Sequence, residues 1–533
     1  WTDGRYYLQA KQELADSEFV LYKMEPEVPS LEQYLSSHVK KGERIGVNGS
    51  ILSQSMGERL EKICKSEITL LSHYDLIGEL WADRPLLKHE PIYLLDTTIA
   101  GESRRDKIGQ IRKSFNTKDS ALFLSDLDSI MWLFNMRGHD IIYHPVALSY
   151  ALLTRKTVAL FVSLKAVKKE DKELLIQDGI DLYEYDTVED ELPHLLKNEE
   201  VKTVYVDPLQ TCFRLYSLLK QTQEVAFVSN YQLIPKQIKN QTEIEQIKRA
   251  HLLDGVAVTK LIYRLKQTMK EKKDLTELAV SQELEAIRTK IPEYLEPSFE
   301  TISAYGEHAA IVHYTPSVLH DKIIQKKGFL LIDAGGQYRY ATTDMTRTIA
   351  MGELKEEDKK HYTLVLKGNL QLSHAVFIHG CTGTNLDILA RTPIWKAFLD
   401  YRHGTGHGIG CYLCVHEGPQ AFRWKRSPHL PDVVIEPNMV TSDEPGIYIE
   451  NSHGIRLENA LLCVEKQQNE WGRYLGFEDL TLIPFDLDAI CKEELSEEEI
   501  KWLNQYHKVV RNMLCPFLTD KEQEWLCGAT REI

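Results

Sequence analysis

The chain has 533 residues, a net charge of −15, and ordinary apolar and charged fractions of 43% and 27%. These values predict a globular protein of about three to four domains. The sequence contains no basic stripe, which argues against a nucleic-acid partner. No uncharged apolar run reaches the roughly 18 residues of a membrane-spanning helix, so no membrane association is expected.

The cysteine content and the first residues bear on the compartment. Nine cysteines, an odd number at irregular spacing, predict thiols in a reducing compartment. The opening stretch, WTDGRYYLQAKQEL, lacks the basic and then apolar pattern of a secretion signal. We therefore expect a cytoplasmic protein.

Residues 1–103 and 104–240 both alternate predicted strands and helices. In the first stretch, WTDGRYYLQ and EFVLYKM are predicted strands. The second stretch repeats the pattern, because VNG at 47–49 and VDP at 206–208 each precede a predicted helix. About 50 residues precede the matching strand in the second copy and none in the first, and the chain begins with Trp1. We therefore expect the first domain to lack its opening strand and helix.

Residues 241–533 form the third predicted domain. Apolar residues at helical spacing predict amphipathic helices at 241–269, 275–291, 356–377, 386–399 and 496–514. Asn385 is the predicted cap of the fourth of these helices. A β-hairpin is predicted over 329–350, with its turn at Gly335 and Gly336.

Each arm of the predicted hairpin carries one acid in an otherwise uncharged strand, Asp333 or Asp344. A carboxylate in a strand core needs a partner that offsets the cost of its desolvation. Two interpretations are open at this point. Either Arg347 pairs with these acids, or the acids hold a divalent metal, and the second interpretation requires further ligands elsewhere in the chain.

Three later stretches supply such ligands: HGTGHGIG contains His407, TSDEPGIY contains Glu444, and GIRLENALLCV contains Glu458. With the hairpin acids they make four carboxylates and one imidazole. A set dominated by carboxylates suits Mn²⁺ and similar ions, and the lack of thiolates disfavours structural zinc. Because four carboxylates balance the charge of two divalent ions, we infer a two-metal site with two bridging carboxylates.

Two other motif interpretations are weaker. The glycines around His407 resemble a dinucleotide-binding fingerprint, but no βαβ unit with a ribose-binding acid follows them. Cys411 and Cys414 form a CxxC pair next to His407. Without a second such pair, buried thiols are favoured over zinc binding or redox chemistry.

Three further histidines occur in distinct motifs: His313 in IVHY, His403 in HGTGHG and His416 in VHEGP. A single histidine of this kind is more often structural. Near a metal site, however, each becomes a candidate for substrate hydrogen bonding and proton handling. Arg456, two residues before Glu458, is a candidate to orient a ligand carboxylate and to bind substrate.

These residues and their flanks, IVHY, LLIDAGG, TTDMTRT, HGTGHGIG, VHEGPQ, SDEPGIY and GIRLEN, resemble the motifs of the pita-bread metallopeptidases. The stretches WTDGRYYLQA, LDSIMWLFNMRG and WKAFLDYRHGTGHGIG extend the similarity to the three-domain, cytosolic-type Xaa-Pro aminopeptidases (aminopeptidase P). The resemblance implies an α/β (α+β) chain with two creatinase-like N-terminal αβ domains, 1–103 and 104–240, followed by a pita-bread catalytic domain, 241–533. It also implies two Mn²⁺ ions, with Zn²⁺ or Co²⁺ as substitutes, and a homodimer.

The resemblance gives each candidate ligand a role by motif. It implies that Asp333 binds one metal and that His407 and Glu444 bind the other. Asp344 and Glu458 would bridge the two ions.

The resemblance also implies roles for the histidines. The implied substrate-contacting and catalytic histidines are His313, His403 and His416. His308 and Asp443 stand where the family often has asparagine, and neither substitution removes a ligand.

The implied reaction is hydrolysis of the N-terminal Xaa-Pro bond by a hydroxide that bridges the two ions, on peptides with proline at the second position. Aminopeptidases are already known among two-metal enzymes, in which paired ions make hydroxide at neutral pH. Glu444 is the candidate general base. His313 or His416 is the candidate donor to the oxyanion or to the proline nitrogen.

Three other functions are weighed against this one. A prolidase, which cleaves only Xaa-Pro dipeptides, shares every ligand but is disfavoured by the chain length and the doubled N-terminal domains. An inactive pita-bread module that binds protein partners would lack some of the ligands. A creatinase-like hydrolase would not need the full acidic set.

Overall fold

A computed structural model of the chain describes residues 1–64, 68–115, 118–271, 274–426 and 431–533. The chain divides into two compact units, Trp1 with Met24–Lys236, and Thr2–Lys23 with Gln237–Ile533. Helix α1 (Tyr7–Glu13) therefore belongs to the second unit. In the part of the chain described, no helix combines the length and apolar character needed to cross a membrane. The domain boundaries at 103/104 and 240/241 stay a prediction.

Two strand predictions near the N-terminus are wrong. The stretch WTDGRYYLQ contributes one bridge residue, Thr2, and then enters α1. The stretch EFVLYKM contributes only Lys23, the partner of Thr2, while Phe19 and Val20 are exposed. A strand is stabilised by a hydrogen-bonded neighbour, and beyond that single bridge these stretches have none among the described residues.

The first unit contains ten α-helices and ten strands within its described residues. The helices are α2 (Leu31–His38), α3 (Gln54–Cys64), α4 (Leu76–Leu80), α5 (Thr97–Ala100), α6 (Arg104–Ser114), α7 (Leu127–Phe134), α8 (Lys169–Gln177), α9 (Val188–Asn198), α10 (Phe213–Leu219) and α11 (Asn230–Leu233). The strands are β1 (Arg44–Gly46), β2 (Thr69–Leu71), β3 (Tyr93–Leu94), β4 (Ser120–Leu124), β5 (Met136–Arg137), β6 (Ser149–Leu153), β7 (Val158–Val162), β8 (Asp181–Tyr183), β9 (Thr203–Val206) and β10 (Glu224–Phe227).

The predicted repeat is visible in the order of these elements. Strands β1 and β2 pair in parallel around α3 and are followed by α4. Strands β9 and β10 likewise pair in parallel around α10 and are followed by α11. In the second copy this pair is the edge of a six-stranded sheet with the order β10-β9-β4-β6-β7-β8.

The second unit contains the remaining elements. Its further helices are α12 (Gln241–Glu271), α13 (Glu277–Arg288), α14 (Glu356–Ser373), α15 (Gly383–Lys396), α16 (Glu497–Leu514) and α17 (Asp520–Ala529). Its strands are β11 (Tyr294–Pro297), β12 (Ile302–Tyr305), β13 (Phe329–Ala334), β14 (Gly336–Tyr338), β15 (Ala341–Thr342), β16 (Met345–Ala350), β17 (Val376–Ile378), β18 (Gly406–Gly408), β19 (Glu417–Phe422), β20 (Val440–Asp443), β21 (Gly446–Ile449), β22 (His453–Arg456), β23 (Asn459–Asn469) and β24 (Gly472–Asp479).

Each of the five helices predicted in this unit is present, with some changed ends. Helix α14 ends at Ser373, short of the predicted 377, because strand β17 begins at Val376. Helix α15 begins three residues earlier than predicted, at Gly383, and its cap is Thr382. The prediction that Asn385 is the cap is wrong. Asn385 lies inside the helix, where its side chain accepts a hydrogen bond of 2.8 Å from the backbone N–H of Thr382.

The predicted hairpin is present, but its predicted turn is wrong. Strands β13 and β16 pair from Phe329 with Ala350 to Ala334 with Met345. Between them, β14 and β15 form a second, smaller hairpin that turns at Tyr340, where φ is +85°. Gly335 permits a close approach instead of a turn, because a Cβ there would collide with the carbonyl oxygen of Thr343.

Helix α12 supports this hairpin from behind. Buried residues of α12, including Leu261 and Leu265, share one hydrophobic cluster with Leu330 and Ile332 of β13 and Ile349 of β16. The larger sheet of the unit has the order β17-β24-β23-β20-β18-β19, and a smaller sheet has the order β12-β13-β16. The hairpin acids therefore stand on a rigid, internally packed element.

Candidate metal centre

Five polar side chains stand at strand ends or on short strands of the second unit. Asp333 is on β13, and Asp344 directly precedes β16. His407 is the central residue of β18. Glu444 directly follows β20, and Glu458 directly precedes β23. The segments that carry these five residues come from four separate parts of the sequence.

The strand register brings these parts together. In the β20–β23 pair, Asp443 is opposite Asn459, which places Glu444 next to Glu458. In the β13–β16 pair, Asp333 is opposite Thr346. Thr346 in turn accepts a 3.0 Å hydrogen bond from the backbone N–H of Glu458, and its hydroxyl donates to Glu458 Oε2 at 2.7 Å. The two sheets are thus joined at the acids.

The side-chain atoms of this cluster are within reach of a shared cation. Ligand atoms of Asp344, His407 and Glu458 all lie within 4.8 Å of one another. His407 Nε2 is 3.4 Å from Asp344 Oδ2 and 3.5 Å from Glu444 Oε1. Asp333 Oδ1 is buried and has no hydrogen-bond donor in the described part of the chain. An orphaned carboxylate oxygen of this kind fits a metal ligand.

The buried acids of the cluster also need positive charge to compensate them. Burial, and then repulsion from Glu458, raise the pKa of Asp344 and of Glu444 well above the ordinary range. Burial, and then repulsion from Asp333, raise the pKa of Glu458 to about 8. Burial lowers the pKa of His407 to about 4, so its imidazole is neutral and able to ligate. Because these acids cannot all ionise side by side without compensation, the residues fit two divalent ions.

Arg456, and not Arg347, is the cationic partner of the hairpin acids. The Arg456 guanidinium donates to Asp333 Oδ2 through Nη2, to the Tyr448 hydroxyl through Nη1 at 2.8 Å and to the Thr346 hydroxyl through Nε at 3.2 Å. Arg347 instead donates to the backbone oxygens of Thr346 and Glu458. The interpretation in which Arg347 pairs with the acids is therefore wrong.

The three candidate histidines lie around this cluster. The ring centroid of His416 is 4.3 Å from that of His407, and repulsion between the protonated forms of the two rings, followed by burial, lowers the pKa of His416 to about 3. Burial, followed by the charge of Arg456, lowers the pKa of His313 to about 4. The same two causes lower the pKa of His403 to about 3. All three imidazoles are therefore neutral at neutral pH.

His403 differs from the other two because the protein uses both of its nitrogens. Nδ1 lies 2.7 Å from the carbonyl oxygen of Gly404, to which it donates. Nε2 then accepts from the Tyr448 hydroxyl at 2.8 Å. The substrate contact of His403 stays a prediction, and in this arrangement the residue links the cluster to Tyr448 and Arg456.

Sequence reasoning missed two residues near the site, Arg5 and Tyr6. The hydroxyl of Tyr6 is 2.8 Å from His313 Nδ1. The charge of Arg5 adds to burial and Arg456 in lowering the pKa of His313. The pKa of Arg5 itself is raised mainly by its hydrogen bond with Asp3 and, more weakly, by Glu444. About 300 residues separate Tyr6 from His313 in the sequence. The motif WTDGRY, which belongs to a stretch predicted as a strand, does not indicate that it lies near His313 in the folded chain.

Both cysteines of the CxxC motif carry reduced thiols. Cys411 is buried, and Cys414 is partly buried. The Cys411 thiol donates to the carbonyl oxygen of Tyr340 at 3.1 Å. This contact agrees with the buried-thiol interpretation of at least the first cysteine.

Family models match nearly the whole chain. The model for metallopeptidase family M24 matches residues 245–465, and the model for the C-terminal region of peptidase M24 matches 473–533. Two models of the creatinase/prolidase N-terminal domain match residues 1–80 and 83–243.

Relatives and solved structures agree with these matches. Aminopeptidase P1 of Arabidopsis thaliana is 35% identical, with 100% of this chain and 90% of the relative covered. The structure described as X-prolyl aminopeptidase from Caenorhabditis elegans, a cytosolic enzyme with a di-nuclear active site, is 31% identical with a TM-score of 0.94. The match covers 100% of this chain and 88% of the C. elegans chain. The Xaa-Pro dipeptidase from Bacillus anthracis is 26% identical, with a TM-score of 0.57. That match covers 72% of this chain and 99% of the dipeptidase chain.

Proposed function

Since the chain belongs to metallopeptidase family M24 and resembles its Xaa-Pro aminopeptidases over its full length, we propose that it is a metal-dependent aminopeptidase that hydrolyses the N-terminal Xaa-Pro bond of peptides. One observation carries the proposal. Asp344, His407 and Glu458, from distant parts of the sequence, place their ligand atoms within 4.8 Å of one another. The charge balance of the cluster then requires cations.

We assign the ligands as the motifs imply. Asp333 would hold one ion, His407 and Glu444 the other, and Asp344 and Glu458 both. The carboxylate-rich set favours Mn²⁺, with Zn²⁺ or Co²⁺ as substitutes. A di-nuclear site is described for the C. elegans enzyme, which supports two ions. When bound, such a pair would supply hydroxide at neutral pH and Lewis-acid polarisation of the scissile carbonyl.

The protein's own residues would handle protons and orient the peptide. Glu444 is the proposed general base, and Ser442 Oγ donates a hydrogen bond to its Oε1 at 3.3 Å. His313 and His416, both neutral, would donate hydrogen bonds to the developing oxyanion or to the proline nitrogen. That nitrogen carries no hydrogen in the substrate, so the site cannot rely on a scissile N–H.

Further residues would fix the substrate. The charge of Arg5, held near Glu444 and His313, would attract a peptide carbonyl. Arg456, through Asp333 and Tyr448, would hold the ligand set in place. The free amine of the substrate would bind beside the acids of the cluster, which limits cleavage to the first bond.

The alternative is a dipeptidase with the same ligands. The Xaa-Pro dipeptidase structure matches only 72% of this chain, whereas the X-prolyl aminopeptidase structure matches 100% with a TM-score of 0.94. That difference favours the aminopeptidase. We further propose a cytosolic location, as described for the C. elegans enzyme. The homodimer also stays part of this proposal.

A peptide-length panel tests the proposal. The Mn²⁺-loaded protein should cleave Xaa-Pro-Pro and longer Xaa-Pro peptides, and should leave matched Xaa-Ala peptides intact. Glu444→Ala should abolish turnover, whereas Glu465→Ala, at a partly exposed acid on β23, should not. Turnover of Xaa-Pro dipeptides alone would establish the dipeptidase. No Mn²⁺-dependent turnover on any peptide would favour a binding module.

A further inference from the structure

Tyr6 contacts the candidate catalytic histidine His313 from the other end of the chain, within the same compact unit. Its hydroxyl is 2.8 Å from His313 Nδ1, and the two ring centroids are 5.1 Å apart with the planes at 76°. The contact combines a directional hydrogen bond with an edge-to-face ring contact, which together fix both the position and the rotation of the imidazole.

A short charged turn holds Tyr6 in this place. The backbone N–H of Tyr6 donates to the carbonyl oxygen of Asp3 at 3.1 Å. The Asp3 carboxylate accepts from Arg5 three times, from its backbone N–H at 3.0 Å, from Nε at 2.9 Å and from Nη2 at 2.7 Å. Helix α1 then begins at Tyr7, a buried residue. Tyr6 is therefore anchored on both sides in the sequence.

The hydrogen bond decides which nitrogen of His313 carries hydrogen. A neutral imidazole has one N–H, and the hydrogen bond of one nitrogen sets the state of the other. In the part of the chain that the structure describes, His313 Nδ1 is the only acceptor for the phenol hydrogen of Tyr6. If Tyr6 accepted instead, its own hydrogen would lack a protein partner. Donation from Tyr6 to Nδ1 is therefore favoured, and it leaves the hydrogen of His313 on Nε2.

The opposite nitrogen is available for a further hydrogen bond, and the backbone next to His313 contacts the cluster, because Arg456 Nη2 donates to the carbonyl oxygen of Val312 at 3.4 Å. Among the described residues, none makes a hydrogen bond to Nε2 of His313. Asp333 and Arg456, which belong to the cluster, both act electrostatically on this imidazole. A peptide carbonyl bound at the cluster requires a hydrogen-bond donor, which the Nε2–H tautomer provides and the Nδ1–H tautomer does not.

We propose that Tyr6 is a positioning residue that holds His313 in its Nε2–H tautomer and thereby presents a hydrogen-bond donor to the peptide. This inference rests on the proposed aminopeptidase function. Tyr6 itself does not touch the reacting atoms, and its effect passes through His313.

Removal of one hydroxyl tests this role in the Mn²⁺-loaded full chain. Tyr6→Phe keeps the ring contact and should lower kcat/KM on an Xaa-Pro-Pro peptide about tenfold, with bound Mn²⁺ unchanged. Tyr263→Phe is the matched control: that ring also makes an edge contact, with Trp525 at 5.9 Å, and should leave kcat/KM unchanged. In a His313→Ala background, Tyr6→Phe should have no further effect, because its route of action is gone.

A spectroscopic readout separates this role from a general structural one. Nitrogen-15 NMR of histidine-labelled protein distinguishes the two imidazole tautomers, and His313→Gln identifies the signals of His313. The wild-type protein should show Nε2–H at His313, and Tyr6→Phe should shift the signal toward a mixture of tautomers.

Different results would overturn the role of Tyr6 and the proposed function. An Nδ1–H tautomer in the wild-type protein overturns the proposal, as does a Tyr6→Phe variant with unchanged kcat/KM and an unchanged tautomer. An equal loss in the His313→Ala background assigns the effect to another route and also overturns it. If the wild-type protein cleaves no Xaa-Pro peptide, the proposed function fails, and the wild-type and Tyr6→Phe spectra alone decide whether Tyr6 sets the tautomer.

Discussion

Removal of divalent metal should destabilise the protein more at pH 8 than at pH 5. The clearest case is Glu458, which is 2% exposed and whose pKa is raised from the ordinary 4.5 to about 8 by burial and then by Asp333. In the metal-free folded protein this carboxyl keeps its proton, whereas in the unfolded chain it ionises above pH 4.5. The unfolded state therefore loses protons first as the pH rises.

The sign and size of the effect follow from this difference. The contribution of Glu458 to stability is fully present below pH 4.5 and is lost progressively as the pH rises to about 8. At about 1.4 kcal/mol for each pH unit, the loss is of the order of 5 kcal/mol. Asp344 and Glu444, whose pKa values are also raised, act in the same direction. Bound cations would remove this penalty, because they stabilise the ionised carboxylates.

The assay is thermal unfolding of chelator-treated and Mn²⁺-loaded protein between pH 5 and pH 8. The unfolding temperature of the metal-free protein should fall by roughly 5 °C over this range, and the gap between the two samples should widen. Glu458→Gln should remove much of the slope, whereas Glu465→Gln, at a partly exposed acid on β23, the strand that Glu458 precedes, should keep it. A metal-free unfolding temperature that does not depend on pH, or a gap that stays constant, would refute the reasoning.

Two further predictions concern the scaffold around the site. In the wild-type protein, Arg288 donates to the Asp254 carboxylate through Nε at 2.8 Å and through Nη2 at 3.1 Å. Arg288→Leu should lower the free energy of unfolding by about 3–5 kcal/mol, because Asp254 would remain as a buried unpaired charge. Urea denaturation checks this, and a loss below about 1 kcal/mol would contradict it. Leu261→Ala should cost about 2–5 kcal/mol, because this fully buried residue packs in the core behind the hairpin. Leu319→Ala, at a position 88% exposed, is its control and should change stability by less than about 0.5 kcal/mol.

Local patterns in the sequence were enough to predict the hairpin that carries two of the candidate ligands and the helix that packs behind it. The helix that begins at Gln241 and the hairpin arms that carry Asp333 and Asp344 follow from the spacing of apolar residues. The turn at Gly335 could not be predicted correctly, because the same residue type serves either a turn or a close backbone approach. Only the position of Thr343 in the folded chain distinguishes the two.

Contacts between distant segments were the other limit. The acids Asp333 and Asp344 were grouped with Glu458 by chemistry alone, and only the strand register shows that they meet. Nothing in the sequence near Tyr6 indicates that it contacts His313, because that contact depends on how the N-terminal segment packs. The N-terminal strand prediction failed for a related reason. An apolar, aromatic run predicts a strand only where a neighbouring strand is available.

The most direct test of this account is the number of divalent ions bound by the wild-type protein and by Glu458→Gln. After loading with Mn²⁺ and removal of free ions, metal analysis should find two ions for each wild-type chain. Glu458→Gln should bind at most one, since a ligand shared by both ions is lost. A wild-type chain that binds no ion, or a Glu458→Gln variant that binds two as tightly as the wild type, would contradict the account.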